Sequence, residues 1–387
     1  MKIKIIGTGI AGCSIANLFA NEGYEVDIYE KKNHIGGNCY DLESKSGILY
    51  HLYGPHIFHT KNLEVAKFVQ KFAKFNSYVN KPVAKIRNKF INLPISFTSI
   101  KQIVPNKYER IINQILKEFP NSQEVSIYDL KSRIKDKETK KIVDWIYQNV
   151  YASYTSKMWN IKIDKIDKDV LNRVKILLNE QHNYFPGAIL QGLPEQGYTK
   201  MLEKMLDHPN IKLHLNFDAM QNLELKNNTI YWDKVPCNNK IIYTGQIENL
   251  LKFKHGYLPY RSLNFKFLEF DKSNYQNYTI INKPLHKSIT RTVEYKKMTL
   301  QKHTKTLISH EYPGQYNHLD PKWNVPYYPI NQDNNIKLYN LYKEEIVEYK
   351  NMFLLGRLAQ YKYFDMDKTI EEAIELFNSL TRKFKAV

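Results

Sequence analysis

Cysteine and long apolar runs are both scarce in this sequence. Three of its 387 residues are cysteines, Cys13, Cys39 and Cys237, and they lie far apart. Disulfide frameworks and zinc sites need closely spaced ligands, so we expect neither, and the few thiols favour a reducing compartment, the cytoplasm. No stretch approaches the roughly 18 uncharged apolar residues of a membrane helix. We therefore expect no metal site and no integral membrane segment.

Acidic residues are also few: 39 Asp and Glu stand against 57 Lys and Arg, which gives a formal net charge of +18. An excess of this size is one sign of a nucleic-acid or anionic membrane partner. However, the lysines are spread along the whole chain, and dense basic runs, RNA-binding signatures and internal repeats are all missing. We interpret the charge as a solvated surface that helps to attract an anionic substrate, and we expect no nucleic-acid partner.

Three glycines near the start of the sequence have an informative spacing. Gly7, Gly9 and Gly12 follow an apolar run, and a helical pattern over Cys13 to Asn21 and a strand pattern over Tyr24 to Glu30 come next. In dinucleotide-binding βαβ units the first glycine permits a tight turn and the second admits a pyrophosphate. The third glycine lets helix and sheet pack closely. The spacing therefore predicts such a unit, with backbone amides at the helix N-terminus facing the phosphates.

Glu30 and a second glycine pair narrow the choice of cofactor. A carboxylate at the end of the second strand accepts hydrogen bonds from the adenosine ribose and disfavours a 2′-phosphate, which favours NAD or FAD over NADP. The pair Gly36 and Gly37 follows shortly after, which is unexpected in a simple NAD dehydrogenase. The pair is either an ordinary turn or a second backbone loop that approaches a bulkier cofactor such as FAD.

The apolar periodicity changes along the chain. Residues 1–75 alternate between strand and helix patterns, whereas Thr98 to Gln181 carry apolar residues at three- and four-residue spacing, typical of packed helices. Asn264 to Phe270 and Thr304 to His310 alternate like sheet strands, and Tyr361 to Leu380 return to a helical pattern. We predict an α/β fold: a discontinuous FAD-binding Rossmann-like domain with a helical insertion domain and an antiparallel β-sheet domain.

The predicted domain boundaries follow these changes of pattern. The FAD-binding domain takes residues 1–79, 186–248 and 330–387, the helical substrate and lid domain takes residues 98–182, and the antiparallel sheet domain takes residues 80–97 and 249–329. Within the helical domain, the stretch from Trp159 to Arg173 is a candidate lid that closes over the substrate.

Two histidines, His56 and His59, stand three residues apart. At this spacing they could ligate a metal ion, but a third ligand is not evident in the nearby sequence. Beside a flavin they would instead orient or hydrogen-bond the isoalloxazine and a bound sugar.

Further motifs follow in a fixed order along the chain. Besides the glycine fingerprint they are Asn33–Asn38, Tyr53–Thr60, Asn92–Pro94, Tyr154–Trp159, Asn183–Phe185, Tyr198–Lys200, Tyr260–Leu263, Thr290–Arg291, Glu311–Pro313, Pro326–Pro329 and Gly356–Met366. In this set and order, the chain resembles the prokaryotic UDP-galactopyranose mutases nearly end to end.

This resemblance implies an FAD-dependent isomerase that interconverts the pyranose and furanose forms of a nucleotide sugar, foremost UDP-galactopyranose and UDP-galactofuranose. It implies that FAD is active when reduced, with NAD(P)H or a chemical reductant as electron donor. N5 of the reduced flavin would attack the anomeric carbon, and the reaction would pass through an iminium intermediate. It also implies a homodimer whose product enters a bacterial surface polysaccharide, a capsule or lipopolysaccharide.

The resemblance further implies residue roles. The catalytic positions are Arg173, Arg291, His59 and His56. The substrate-binding positions are Asn80, Tyr154, Thr155, Trp159, Arg173, Tyr184, Arg291, Tyr327 and Tyr363. The cofactor-binding positions are Gly7, Gly9, Ile10, Ala11, Gly12, Glu30, Lys31, Gly37, Asn38, His56, Ile57, Arg357, Tyr363, Asp365 and Met366.

Each role has a chemical reason. The guanidinium groups of Arg173 and Arg291 pair bidentately with phosphate oxygens and would clamp the diphosphate. The hydroxyl groups of Tyr184, Tyr327 and Tyr363 would donate hydrogen bonds to the same phosphates. Tyr154 and Trp159 offer stacking faces to the base, which Asn80 and Thr155 would hydrogen-bond. Arg357 would favour the anionic reduced flavin. Asp365 would contact the cofactor or order the loop around Tyr363.

The sequence departs from the family around Trp159, at the end of the motif Tyr154–Trp159. Met158 and Asn160 flank the tryptophan where the family commonly has Gln and Gly. The same chemistry on UDP-N-acetylgalactosamine, dTDP-fucose, UDP-arabinose or a GDP-heptose is therefore an alternative. An FAD-dependent oxidoreductase is a second one, although an uncharged substrate would not call for so many phosphate partners. A non-catalytic protein that binds nucleotide or nucleic acid is a third.

Overall fold

The structure is a computed structural model, and it describes residues 2–163 and 174–385. The strands are β1 Lys2–Ile6, β2 Glu25–Tyr29, β3 Asp41–Glu43, β4 Leu49–His51, β5 Phe58–Thr60, β6 Val83–Ile86, β7 Lys89–Asn92, β8 Glu124–Val125, β9 Ile176–Leu177, β10 Leu190–Gly192, β11 Ile211–His214, β12 Leu223–Lys226, β13 Thr229–Trp232, β14 Val235–Pro236, β15 Lys240–Tyr243, β16 Tyr260–Phe270, β17 Ile280–Asn282, β18 Arg291–Glu294, β19 Thr306–Gln315, β20 Tyr328–Pro329 and β21 Met352–Leu354. The helices are α1 Ile10–Asn21, α2 Leu63–Gln70, α3 Phe97–Ile103, α4 Tyr108–Glu118, α5 Ile127–Arg133, α6 Lys137–Ile146, α7 Ser153–Trp159, α8 Tyr198–Leu206, α9 Ile247–Leu250, α10 Tyr295–Thr299, α11 Asp333–Val347 and α12 Met366–Lys385, with a π-helix at Tyr147–Ala152 between α6 and α7.

The first layer is a five-stranded parallel sheet with the order β11-β2-β1-β15-β21. Numbered within the sheet, this is the 3-2-1-4-5 order of a Rossmann fold. The strand order reverses between β1 and β15, so ligands are expected in the crevice at the carboxyl ends of these two strands. Helix α1 packs against α8 and α12, and Phe19 of α1 meets Phe377 of α12 edge to face, with ring centroids 5.2 Å apart. The predicted Rossmann-like fold is confirmed.

The second layer is a seven-stranded sheet with the order β20-β16-β19-β18-β17-β6-β7. Its neighbouring strands are antiparallel except for β6 and β17, which run parallel. Its strands come from residues 83–92 and 260–329, within the segments assigned above to a sheet domain. The register of β18 on β19 places Arg291 opposite Glu311, which fixes a central feature of the site.

Helices α3 to α7 form a third part, and its apolar residues at three- and four-residue spacing pack inward, among them Ile111, Ile115, Val143 and Ile146. The sequence pattern missed the short pair β8–β9, because two-residue strands are too short to show an alternating pattern. The start predicted for the last helix was wrong by five residues. Tyr361 has a φ of +48°, which no helix accommodates, so α12 begins only at Met366. The three-domain division itself stays a prediction.

Candidate active site

The glycine fingerprint forms a tight turn between β1 and α1. A Cβ atom at Gly7 would lie 2.1 Å from Thr244 Oγ1, and one at Gly12 would lie 1.9 Å from the Gly7 carbonyl oxygen. Gly9 differs, because a Cβ there would meet nothing closer than 4.0 Å. Gly9 is also the N-cap of α1, so the first helical amides have no side-chain cap. This geometry fits the pyrophosphate of a dinucleotide cofactor.

The second glycine pair lies directly against the first loop. Gly36 N donates to the Thr8 carbonyl oxygen at 2.9 Å, and Gly36 and Gly9 form an isolated parallel bridge. A Cβ at Gly37 would lie 3.0 Å from Gly9 Cα. Of the two interpretations of this pair, the structure favours a second backbone loop beside the cofactor loop. Asn38 follows in a 3-10 turn at Gly37–Cys39.

Glu30 directly follows β2 and is buried. Its Oε2 accepts from Thr8 N at 3.0 Å and Thr8 Oγ1 at 2.8 Å, and its Oε1 accepts from Lys32 N at 3.0 Å. These bonds hold the carboxylate beside the glycine turn, where it fits the proposed contact with a ribose. Lys31 follows on the exposed surface.

A cavity of about 870 Å³ lies beyond this edge of the sheet. The predicted site residues that line it are His56, Ile57, His59, Asn80, Tyr154, Thr155, Trp159, Tyr184, Arg291, Tyr327, Arg357, Tyr363, Asp365 and Met366. They include residues of the segment that leads into β5, of the helical part, of the seven-stranded sheet and of the start of α12 with the segment before it, so the fold brings distant motifs to one place. Arg173 and most of the candidate lid from Trp159 to Arg173 lie outside the described residues. The glycine fingerprint, Glu30, Lys31, Gly37 and Asn38 border the nucleotide crevice and not this cavity.

Arg291 is fixed in the cavity wall by a carboxylate. Its Nε donates to Glu311 Oε2 at 2.7 Å, while Thr290 Oγ1 donates to Glu311 Oε1 at 2.6 Å. Glu311 is 1% exposed, whereas 21% of the Arg291 side chain remains accessible. Burial on its own would lower the pKa of Arg291, but Glu311 outweighs it and holds that pKa well above its usual value. The guanidinium is therefore a permanent cation with a fixed orientation.

Tyrosines surround this cation. Burial raises the pKa of Tyr328 to about 12 and raises that of Tyr154 and Tyr327 as well. Their hydroxyls therefore stay protonated and can donate hydrogen bonds to an anion. Tyr328 stacks on Tyr363 with centroids 5.6 Å apart. Tyr328 was not among the predicted site residues, whereas the structure puts it in the cavity wall.

Arg357 fastens the segment before α12 to β20. Its Nη1 donates to the Tyr327 carbonyl oxygen at 3.0 Å, and its Nε and Nη2 donate to that of Phe364 at 3.2 and 2.5 Å. The guanidinium also lies 4.9 Å from the ring centroid of Tyr363 and 5.3 Å from that of Tyr328. Arg357 thus orders the loop that carries Tyr363 and Asp365.

The two histidines differ in environment. His56 Nδ1 lies 2.8 Å from the Gly54 carbonyl oxygen, which assigns the proton to Nδ1. Burial lowers the pKa of His56 to about 3. The ring is therefore neutral near pH 7, where it has no imidazolium proton to donate. His59 stacks on Phe185 with ring centroids 3.6 Å apart, and its Nε2 lies 3.9 Å from Asp365 Oδ2.

Helix α7 presents the predicted base-binding residues. Tyr154, Thr155 and Trp159 all line the cavity, together with Met158. Arg261, which is 2% exposed, donates from Nε to the Met158 carbonyl oxygen at 2.8 Å and so anchors the last turn of the helix to β16. The Met158 side chain that departs from the family pattern is itself buried in the wall.

Sequence reasoning missed several residues of this site. Glu311, Phe185 and Arg261 stood within quoted motifs, yet each acts through a partner on another segment that only the fold reveals. Gly356 was also missed, although a Cβ there would lie 3.1 Å from the Cβ of Ala11 at the start of α1. A glycine directly before Arg357 was the available signal.

Metal sites and membrane-spanning helices are both missing from the part of the chain that the structure describes. Within residues 2–163 and 174–385, no group of three or more His, Cys, Asp or Glu side chains is placed to hold a metal ion. In those same ranges, no helix has both the length and the apolar character needed to cross a membrane.

Known proteins match this chain over most of its length. A family profile described as UDP-galactopyranose mutase matches residues 149–363, and one described as an NAD(P)-binding Rossmann-like domain matches residues 5–72. The UDP-galactopyranose mutase of Mycoplasma genitalium is 41% identical over 95% of this chain and 92% of its own length. That of Mycoplasma pneumoniae is 37% identical over 96% and 94%.

The dTDP-fucopyranose mutase of Escherichia coli is 31% identical over 97% of both chains. A crystal structure of reduced UDP-galactopyranose mutase superposes with a TM-score of 0.72 at 14% identity, covering 98% of this chain and 93% of that one. Family and fold together indicate a flavin cofactor and a nucleotide-sugar mutase that interconverts pyranose and furanose forms. The chain belongs to the UDP-galactopyranose mutase family.

Proposed function

We propose that this protein interconverts UDP-galactopyranose and UDP-galactofuranose with reduced FAD as its cofactor. One observation carries the proposal: Arg291 is held by the buried Glu311 in a cavity that also contains neutral tyrosine hydroxyls and residues expected at a flavin. The choice of sugar rests on the relatives, because the two UDP-galactopyranose mutases are 41% and 37% identical and the dTDP-fucopyranose mutase is 31% identical.

FAD fits the two parts of the site described above. The glycine turn, the amides of Ile10 and Ala11, Glu30, Lys31, Gly37 and Asn38 would hold its adenosine and pyrophosphate. His56, Ile57, Arg357, Tyr363, Asp365 and Met366 would border its ring in the cavity. When bound and reduced, the flavin supplies a nucleophilic nitrogen for the anomeric carbon, with electrons from NAD(P)H or a chemical reductant.

The protein's own side chains would retain the diphosphate when it leaves the sugar. Arg291, oriented by Glu311, presents its remaining guanidinium donors to phosphate oxygens, and we assign Arg173 the same task. Tyr184, Tyr327 and Tyr363 would donate hydroxyl groups. Fixed donors of this kind stabilise developing negative charge without reorganisation. Each typically lowers the free energy of the transition state by about 3 kcal/mol.

The sugar and the base would lie on opposite sides of the diphosphate. Neutral His56 would offer Nε2 as an acceptor to a sugar hydroxyl, and His59 would orient the sugar from its stack on Phe185. Tyr154 and Trp159 would stack on uracil, while Asn80 and Thr155 would hydrogen-bond it. Closure around these groups would exclude water from the reacting carbon.

The proposal extends to the setting of the enzyme. We assign it to the cytoplasm as a homodimer that supplies furanose units for a surface polysaccharide. The three free cysteines, which are widely spaced in the sequence, support a reducing compartment. The dimer and the polysaccharide rest on the family resemblance.

The test is a panel of nucleotide sugars incubated without oxygen with chemically reduced protein. We expect the purified protein to carry extractable FAD and to convert UDP-galactofuranose to an isomer of unchanged mass. The oxidised protein should be inactive, and adding NADH or NADPH should restore turnover. Conversion of dTDP-fucose or UDP-N-acetylgalactosamine in place of UDP-galactose would overturn the choice of sugar. Oxygen consumption with a changed product mass would overturn the mutase assignment.

A further inference from the structure

Lys157 makes an unusual set of contacts on helix α7. Its ammonium nitrogen lies 2.5 Å from the carbonyl oxygen of Lys283, 3.2 Å from that of Pro284, 2.9 Å from that of His286 and 2.8 Å from that of Ile289. All four belong to the loop between β17 and β18. A compact ammonium group with three donors suits such a cage of carbonyl oxygens, whereas a side chain without donors would remove the partner that the four oxygens share.

The loop, residues 283–289, is closed by its own hydrogen bonds. Lys283 N donates to the Thr290 carbonyl oxygen at 2.7 Å, and His286 Nδ1 accepts from Ser288 N and Ile289 N at 3.1 and 2.9 Å. Its tip is exposed, while Pro284, at one end, and Ile289, at the other, are buried. The carbonyl cage therefore joins both ends of the loop to its tip, next to the start of β18.

Thr290, the residue after the loop, bonds to the same carboxylate as Arg291. Thr290 N donates to the Glu311 carbonyl oxygen at 2.9 Å, and Thr290 Oγ1 donates to the Glu311 carboxylate. Arg291 follows and bonds to the same carboxylate. A shift of the loop base would therefore move Arg291 relative to Glu311. At its other end, Lys157 lies on α7 between Thr155 and Trp159, which line the cavity.

We propose that Lys157 is a positioning residue that ties the base-binding helix α7 to the loop that sets Arg291, so that the base and the diphosphate of the substrate are held by one coupled unit. Lys157 would act on the nucleotide only through these neighbours. This inference rests on the proposed function, because it takes a nucleoside diphosphate as the ligand of the cavity.

The test uses two variants of the flavin-loaded enzyme, with UDP as the probe. Lys157→Met keeps most of the apolar stem but removes the donors, and Lys157→Ala leaves the carbonyl cage open. We expect both to bind UDP at least tenfold more weakly by titration calorimetry, with flavin content and melting temperature close to those of wild type. Lys287→Ala, in the exposed tip of the same loop, is the matched control and should bind UDP normally.

Chemical rescue separates positioning from a general structural role. Propylammonium replaces the atoms that Lys157→Ala lacks beyond Cβ, so it should restore UDP binding and turnover in that variant. Tetramethylammonium at equal ionic strength has no N–H donor and should not. Unchanged UDP affinity in both variants, equal rescue by both cations, or loss of flavin and fold in both variants would each overturn the inference.

These outcomes are distinct from a failure of the proposed function. Wild-type enzyme that binds UDP but leaves UDP-galactofuranose unchanged would count against the proposed reaction alone. Wild-type enzyme that converts UDP-galactofuranose, with a Lys157→Ala variant that binds UDP normally, would count against the role of Lys157 alone.

Discussion

The glycine crevice and the cavity are built in opposite ways. The crevice is made of backbone from two short stretches, residues 7–12 and 36–37, and its shape follows from the absence of side chains. The cavity is made of side chains from segments as distant as His56 and Asp365. Its central contact, Arg291 with Glu311, exists because β18 pairs with β19 in one register. Space therefore limits substitutions in the crevice, and charge and orientation limit them in the cavity.

The largest effect should come from filling the crevice. Gly12→Ala would put a Cβ 1.9 Å from the Gly7 carbonyl oxygen, and backbone on both sides resists the shift. We expect loss of bound flavin and of all turnover, with about 3 kcal/mol of lost stability. Absorbance of the purified variant and denaturant unfolding would measure both.

Gly47→Ala is the control for that experiment. Gly47 has a φ of +81° but nothing lies within 4 Å of its added Cβ, so only backbone strain is introduced. This variant should keep its flavin. If Gly12→Ala bound flavin like wild type, space would not limit substitutions in the crevice, and the contrast with the cavity would be lost.

Removing the cation from the cavity should affect rate and leave the cofactor in place. Arg291→Ala removes a fixed phosphate partner, and we expect kcat/KM to fall several hundredfold, which corresponds to about 3–4 kcal/mol. Flavin content should not change. Arg110→Ala, which removes surface ion pairs with Asp136 and Glu138, should leave kcat/KM within a factor of two. Equal loss of flavin and rate in Arg291→Ala would contradict this separation.

Weakening the support of that cation should cost less. Glu311→Gln keeps an acceptor for Thr290 or for Arg291 but removes the negative charge that orients the guanidinium. We expect kcat/KM to fall roughly tenfold to a hundredfold, as for loss of one hydrogen bond to a charged group. Steady-state kinetics with matched flavin loading would test this. A full-rate Glu311→Gln enzyme would mean that the strand register alone orients Arg291.

The last predicted effect is on acid stability, and it concerns two buried histidines. Burial lowers the pKa of both His51 and His56 to about 3, whereas an unfolded histidine titrates near 6.5. The unfolded chain therefore binds protons that the folded chain does not bind. The free energy of unfolding should consequently fall as the pH drops from about 6.5 to 3. The expected slope is about 1.4 kcal/mol per pH unit for each histidine.

His51→Asn tests this slope. His51 Nδ1 accepts from His56 N at 2.9 Å, and the asparagine carbonyl oxygen can take over that role. The variant should lose stability less steeply between pH 6.5 and 4 in denaturant titrations, whatever its stability at pH 7. An unchanged slope would show that His51 is protonated in the folded enzyme.

The contrast also explains what the sequence could predict. The glycine spacing, Glu30 and the strand within Tyr24 to Glu30 were predictable, because each depends on neighbours a few residues away. The family resemblance then supplied cavity residues such as Arg357 and Tyr363 without any geometry. Glu311 and Phe185 were not predictable as partners of Arg291 and His59, because pairing across strands and loops depends on register. The start of α12 at Met366 likewise depends on the backbone of Tyr361 and not on periodicity.

The contact of Gly356 with Ala11 has a consequence for biosynthesis. The ribosome synthesises Ala11, on one side of the nucleotide crevice, at the outset. It synthesises Gly356, on the other side, only after most of the remaining chain, on the order of tens of seconds later. The strands β15 and β21 of the same sheet also emerge late. A nascent polypeptide therefore has to wait, with its five-stranded sheet incomplete, until translation is almost finished before it can capture its flavin.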